Sequence, residues 1–304
     1  METPASLGTP LVILNPAANR GNTALQRALV SAHTKQAGAK YVETQCKGHA
    51  RELALLAARK GRPIIVVGGD GSVHEVVNGI LSSGQRVPLG IVGSGSGNDY
   101  AWNTLKLPRL PAAALEVAFN GTPTAVDAGI MNGTCFANSF SVGLDADIAV
   151  AANWMKKIPT MSGSRLYYGA TLKQLLFGYY RCPWLKISID GNEQGEQFKR
   201  YVLAAITIGP SYGAGFRINP KAEYADGLFD ICTITYTPLP RALQLLPIVQ
   251  KGQHEGVPEV TFYRGQSVRI ESQKPVNVEL DGETSSGTSF EAKLLPAALL
   301  VRMG

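Results

Sequence analysis

Short apolar runs alternate with amphipathic stretches over the first 124 residues. LVILN (11–15), KYVET (40–44), PIIVVGG (63–69) and PLGIVG (88–93) are rich in β-branched residues and read as strands. Between them lie TALQRALVSAHTKQ, HARELALLAARK and SVHEVVNGILSS, where apolar positions recur every three to four residues, the helical period. Strands alternating with helices predict βαβ units around a parallel sheet covered on both faces. In such sheets ligands bind in the loops that follow the strands.

Beyond residue 124 the rhythm changes. AVDAGIMNGTCFANSFSV reads as two strands joined by Asn132-Gly133, a favoured two-residue hairpin turn. WLKISID, FKRYVLAAITIG, GLFDICTIT, SVRIES and VNVELDG continue the strand pattern, with reversals at DGNEQG and YADG. Helical patterns interrupt it at about 145–180 and 238–250. The expected fold is therefore α/β plus β. A doubly wound α/β nucleotide-binding domain (1–124) precedes an antiparallel, β-rich, sandwich-like domain (125–304), whose last stretch is free to return to the first domain.

Composition narrows the class. Of 304 residues, 45% are apolar and 17% charged, normal for a globular chain with a core. The four cysteines are scattered, without a C-x-x-C pair, which suits reduced thiols in a cytoplasmic protein better than a disulfide framework. No apolar run is long enough for a spanning helix, so a place at the membrane surface is the most that is expected. Residues 1–124 hold 12 Lys and Arg against 7 Asp and Glu, and so carry +5 of the net +6. A basic first domain suits a polyphosphate or an anionic surface, although a solvated basic face explains the charge equally well. Nucleic acid is not expected, because neither a Lys/Arg run nor an aromatic RNA-binding motif occurs.

Two loops stand out. The third strand ends in GGDGS, where Gly68, Gly69 and Gly71 permit positive φ and close approach of a ligand to the backbone. Exposed amides at the start of the following helix make a phosphate seat. Asp70 is then out of place unless a divalent cation lies between carboxylate and phosphate; the alternative is a helix cap. The fourth strand ends in GSGSGNDYA, again glycine-rich and bearing a carboxylate, Asp99, and in a parallel sheet both loops fall on one edge. A third signal, ELDGE, places Asp281 and Glu283 at a strand end in the second domain, where a plain turn is the simplest reading.

Together, GGDGSVHEVVNG, GSGNDYA and ELDGE, with NPAANRG, Thr44 and GHARELA, VDAG and NPKAEYADGLFDI, resemble the bacterial diacylglycerol kinase catalytic family, which also holds sphingosine and ceramide kinases. The resemblance spans nearly the whole chain. It implies ATP in a cleft between the two domains, bound by Asn15, Thr44, Gly68, Gly69, Asp70, Gly71, Ser72, Glu75, Ser96 and Asn98. Asp70 and Asp99, with Mg²⁺, would neutralise the transferring phosphoryl group. Glu283, ranked just ahead of Asp281, would take the proton of the acceptor hydroxyl. The stretch AEYADGLFD resembles a second, structural Mg²⁺ site, with the Asp226 side chain and the Glu223 and Leu228 carbonyls as ligands, although an ordinary turn remains an alternative. The implied partner is a lipid such as diacylglycerol at the inner membrane face, and homodimerisation is left open. For the lipid, the mixed apolar, aromatic and basic stretch 145–181 is compatible with a helix on an anionic bilayer or simply with a core helix.

Three departures from the family pattern appear: AANRG is less glycine-rich than usual, Ser72 replaces a threonine, and Trp102 stands where a small or basic residue is common. Other chemistries find no support. His74-Glu75 lacks the second histidine of a zinc protease, since position 78 is Asn, and no Walker loop occurs. The alternatives are a kinase of a soluble acceptor, such as NAD or a sugar phosphate, and a catalytically silent nucleotide-binding regulator.

Overall fold

The computed structural model describes residues 8–155, 163–213 and 215–304. The chain divides into two compact units, one running to Ala128 and including Pro296–Gly304, the other Gly129–Leu295.

In the first unit β1 (Leu11–Leu14), β2 (Lys40–Glu43), β3 (Ile64–Gly68) and β4 (Pro88–Gly93) run parallel in the order β2-β1-β3-β4. The connecting helices are α1 (Arg27–Gln36), α2 (His49–Ala58), α3 (Asp70–Ser82) and α4 (Pro111–Asn120). Strand alternation sends Val12, Leu14, Ile65 and Val67 into one cluster with Val30 of α1 and Leu115 of α4. Ile13, Ile64 and Val66 point the other way and are also buried, on the side where α2 and α3 pack. Two covered faces are why these strands read as continuous apolar runs. Truncating one of these residues, Ile65 to alanine for example, costs about 2–5 kcal/mol.

The helix expected over TALQRALVSAHTKQ begins only at Arg27; Ala18–Gln26 winds as a 3-10 helix. Thr23 explains the tighter start, since its hydroxyl bonds to Ala18 O at 3.1 Å and Ser94 O at 3.2 Å and draws the segment to the end of β4.

β5 (Thr122–Met131) carries the chain into the second unit and turns at Asn132-Gly133 into β6 (Thr134–Phe136). Both turn residues have positive φ, +46° and +84°, as a two-residue hairpin of this kind needs. Then come β7 (Ser139–Gly143), helices α5 (Leu144–Met155) and α6 (Gly163–Phe177), β8 (Trp184–Ile189), β9 (Asn192–Glu193), β10 (Lys199–Thr207) and β11 (Phe229–Thr235). Helix α7 (Leu239–Gln250), β12 (Val260–Gly265), β13 (Ser267–Leu280) and β14 (Glu283–Met303) complete the chain.

Strands β12, β11, β10, β7, β13 and β14 are neighbours in that order, all antiparallel. Ala204 and Ile206 of β10 join Phe136, Phe140 and Phe229 in one cluster; Val202 and Ala205 join Leu175, Tyr179 and Val249 in another. One face of this β-sandwich-like domain is thus covered by strands and the other by helices. The last residues of β14 belong to the first unit, with Leu300 opposite Pro88.

Two strand expectations change. SVRIES and VNVELDG form one strand, with a register irregularity between Glu271 and Val276. Val260–Gly265 is an extra strand with mostly exposed or half-buried side chains, so it carries no core pattern. Among the described residues no helix is long and apolar enough to cross a membrane.

Candidate active site

Ladder register determines what gathers at the carboxyl edge of the parallel sheet. Leu14 lies opposite Glu43 and Val67, and Gly68 opposite Gly93. The chain leaves each strand in step: Asn15 N–H donates to Val67 O, Thr44 N–H to Leu14 O and Ser94 N–H to Gly68 O, each at 2.9 Å. Asn15, Thr44, the 68–72 loop and the 93–99 loop therefore share one edge.

The glycines act differently from the expectation. Gly68, Gly69 and Gly71 do not adopt positive φ: Gly69 is extended, with φ −91° and ψ −174°, and Gly71 is already in the first turn of α3. Their need is closeness. A β carbon on Gly95 would stand 2.5 Å from Gly69 Cα, and one on Gly68 would stand 2.5 Å from Ser72 Oγ. The two loops pack backbone on backbone. The left-handed residue is Asn98, with φ +58°, a conformation that asparagine tolerates.

Asp70 lies in the first turn of α3. Its Oδ2 accepts Asn98 N–H at 2.7 Å and its Oδ1 accepts Tyr100 N–H at 3.4 Å, which latches the second loop to the first. The Asn98 amide braces its own loop, accepting Gly95 N–H at 2.8 Å and donating to Gly95 O at 2.7 Å. Glu75 accepts Gly48 N–H at 2.8 Å and Ala50 N–H at 3.1 Å, satisfying helix-start amides of α2. Asn15 accepts Ala17 N–H at 3.0 Å and donates to Ser72 Oγ at 2.9 Å. These four side chains shape the loops, while Gly71 and Ser96 are exposed and Thr44 half-buried beside them.

Asp99 is buried and accepts Asn103 Nδ2–H at 2.6 Å. A β carbon on Gly97 would lie 3.0 Å from Asp70 Oδ2 and 3.8 Å from Asp99 Oδ2. Both carboxylates thus face one hollow that a side chain would fill, and this donor set fits Mg²⁺, which takes one or two carboxylates plus phosphate oxygens and water. Trp102 packs behind the loop, 5.1 Å under the Arg109 guanidinium and against Gly93.

In the second unit ELDGE forms the β13–β14 hairpin, with Leu280 opposite Glu283. Asp281 and Gly282 are the turn, at φ +49° and +91°. The Asp281 carboxylate accepts three amides, Ala137 N–H at 2.7 Å and Asn138 and Ser139 N–H at 3.0 Å. Its acceptor capacity goes into anchoring the turn, and Glu283 follows at the first position of β14.

At the 223–228 turn, Asp226 accepts Leu228 N–H at 3.1 Å and pairs with the Arg264 guanidinium, which also reaches Asp230 at 3.3 Å. The residues here fit a structural ion only with Arg264 moved off Asp226. Burial, with Asp226 and Glu223 nearby, pushes the Asp230 carboxyl up to about 6 against the pull of Arg264.

The sequence reading passed over a polar network under the ELDGE hairpin. Glu279 is buried, accepts Gly282 N–H, lies 3.3 Å from Ser141 Oγ, and lies near Asp145, which accepts the Tyr212 hydroxyl. No local signal marked it, because Ser141 and Asp145 lie far upstream of residue 279 along the chain. Asp127, within VDAG, is likewise buried and accepts Ala297 N–H at 2.7 Å.

Comparison with known proteins decides the kinship. Residues 9–131 match the diacylglycerol kinase catalytic domain, and residues 138–303 match the YegS C-terminal NAD kinase beta sandwich-like domain. A protein of Mycobacterium tuberculosis named diacylglycerol kinase is 30% identical, across 97% of this chain and 95% of its own length. The chain belongs to the diacylglycerol kinase catalytic-domain family. A diacylglycerol kinase of Bacillus subtilis is 28% identical over 90% of this chain and 88% of its own length. Among solved structures, a diacylglycerol kinase of Bacillus anthracis shares the fold at a TM-score of 0.71 and 20% identity, covering 99% of this chain and 98% of that one. A second Bacillus anthracis structure, 24% identical with the same coverage, reaches a TM-score of 0.79. Membership makes this chain a kinase by family, with ATP as the implied phosphoryl donor and the two-domain architecture that the strands display.

Proposed function

We propose that the chain transfers the γ-phosphate of ATP to the hydroxyl of a membrane lipid such as diacylglycerol, with Mg²⁺. The observation that carries the reading is the convergence of Asp70 and Asp99 on Gly97, at the edge where α3 begins. The first amides of a helix have no partner within it, so the start of α3 offers donors to a phosphate. Asn15, Glu75, Ser72 and Asn98 hold the loops in shape; Thr44, Gly68, Gly69, Gly71 and Ser96 supply the surface for the nucleotide. Asp70 and Asp99 would hold Mg²⁺, which screens the charge of the transferring phosphoryl group. Glu283 accepts the proton of the acceptor hydroxyl, and Asp281 keeps the turn that presents it.

The lipid acceptor is supported by the surface of α5, α6 and the residues that follow. Trp154, Leu172, Leu176, Phe177, Tyr180 and Trp184 are 50–68% exposed. Lys173 and Arg181 sit over Trp154 and Tyr180, each 5.2 Å from the ring centre. Apolar and aromatic tips interleaved with cations suit the face of an anionic bilayer. Leu175 and Tyr179 from the same stretch are buried, so it serves the core as well. Residues 156–162, which include KKIP, and the side chains of SRLYY lie outside the described residues. The reading places the chain at the cytoplasmic membrane surface.

The test is phosphoryl transfer from labelled ATP in Mg²⁺ to diacylglycerol in mixed micelles, with NAD and fructose 6-phosphate offered separately. Label in the lipid phase is expected. Label in a soluble product would move the chain to a kinase of a soluble acceptor. ATP bound with no label in any product would favour a silent regulator.

A further inference from the structure

The ELDGE hairpin stands on a carboxyl group whose surroundings are poor in positive charge. Glu279 lies opposite Ser141 in the β13–β7 ladder and is only 6% exposed. One of its oxygens meets Gly282 N–H, in the turn next to Glu283, and the other meets Ser141 Oγ at 3.3 Å. The groups that bear on it are Ser141 from β7, Asp145 from α5, and Asp281 and Gly282 from the turn; Glu279 in turn bears on Tyr212 from the 208–213 stretch. Asp145 is itself hydrogen-bonded by Tyr212, Ser141 and the Ala146 amide. No cation belongs to this set among the described residues.

We propose, on the lipid-kinase reading above, that Glu279 works as a neutral carboxylic acid and is the positioning residue that fixes the Asp281-Gly282 turn and so aims Glu283. Its carbonyl oxygen accepts Gly282 N–H, its hydroxyl donates to Ser141 Oγ, and Ser141 donates onward to the Asp145 carboxylate. Every proton then has an acceptor, and burial pushes the neighbouring Asp145 carboxyl up as well. Burial is the first cause that pushes the Glu279 carboxyl up, to about 8, with Asp145 and Asp281 adding to it against the hydrogen bond from Gly282. Ionisation would remove the donor that Ser141 accepts. It would also set a negative charge beside Asp145 and Asp281 and so loosen the turn.

Glutamine reproduces a neutral acid here, since its carbonyl oxygen can accept Gly282 N–H and its amide can donate to Ser141. Phosphoryl transfer to micellar diacylglycerol is to be followed between about pH 6 and about pH 10 for wild type, Glu279→Gln and Glu279→Ala. The alanine variant should lose roughly tenfold or more in kcat with the KM for ATP unchanged, and the glutamine variant should recover to within about threefold of wild type. Wild type should show an alkaline limb with its midpoint near 8 that the glutamine variant lacks. Independently of turnover, the Gly282 amide resonance in ¹⁵N-glycine-labelled protein should titrate near 8 in wild type and stay flat in Glu279→Gln. A glutamine variant as impaired as the alanine variant would overturn the proposal, as would a Gly282 resonance that is flat in wild type or titrates equally in both. If wild type labels no lipid, the kinase reading fails separately, and the Gly282 titration still decides the state of Glu279.

Discussion

Asp70 and Asp281 each tie a turn to a distant backbone segment, but in different surroundings. Asp281 receives three amides of residues 137–139 across its two oxygens, which lock it to the hairpin's neighbouring strand end. Asp70 accepts Asn98 N–H at 2.7 Å and Tyr100 N–H at 3.4 Å, and shares the hollow at Gly97 with Asp99. On the proposed reading, the same residue type in the same sort of glycine-flanked turn is scaffold in one place and a Mg²⁺ ligand in the other. On the same reading Glu283, rather than Asp281, takes the proton in the second unit.

The comparison breaks most readily at Gly97. Its backbone is not left-handed, so alanine is allowed, yet the added methyl would stand 3.0 Å from Asp70 Oδ2. Gly97→Ala should lower Mg²⁺-dependent turnover by about 10²-fold or more with little change in melting temperature. Unaltered Mg²⁺ dependence would show that the hollow holds no ion.

Asp281→Ala should act on stability. Stranding the amides of residues 137–139 costs about 1–3 kcal/mol, a fall of several degrees in melting temperature by differential scanning fluorimetry. An unchanged melting curve would deny Asp281 its scaffold role. At the 223–228 turn, Arg264→Gln removes the guanidinium from Asp226, and its melting temperature should rise more with Mg²⁺ than that of wild type. Equal responses would count against an ion there.

The remaining effect is a pH slope. The Glu279 carboxyl is raised to about 8 in the folded chain, from an ordinary 4.5. Between those values the folded state holds a proton that the unfolded state has released, so stability from this group falls as pH rises and levels off above about 8. Glu279→Gln removes that slope. Its melting temperature relative to wild type should climb from pH 5 to pH 8, and parallel curves would mean that the carboxyl is ionised throughout.

The first unit was open to sequence reasoning because β1, β3 and β4 are buried on two faces and the β3 and β4 loops follow directly at glycines. LVIL, IIVVG and PLGIVG needed no tertiary information. The role of the glycines did need it. Nothing in GGDGS separates a residue that turns left-handed from one that lets Gly69 and Gly95 touch, because the partner loop is 26 positions away. In the second unit Val260–Gly265 escaped because a half-exposed edge strand has no apolar alternation to show. The double anchoring of ELDGE escaped because its partners lie more than 130 positions upstream. A local pattern carries the turn chemistry of Asp281-Gly282, but not what the carboxylate of Asp281 or Glu279 touches.

The division between an anchoring Asp281 and a reacting Glu283 is most directly tested by the turnover of Glu283→Gln on micellar diacylglycerol at saturating Mg·ATP, measured beside its melting temperature and ATP affinity. A fall of about 10²-fold or more in kcat, with both other quantities unchanged, is the predicted result. Near-normal turnover would contradict it and return the proton to another group.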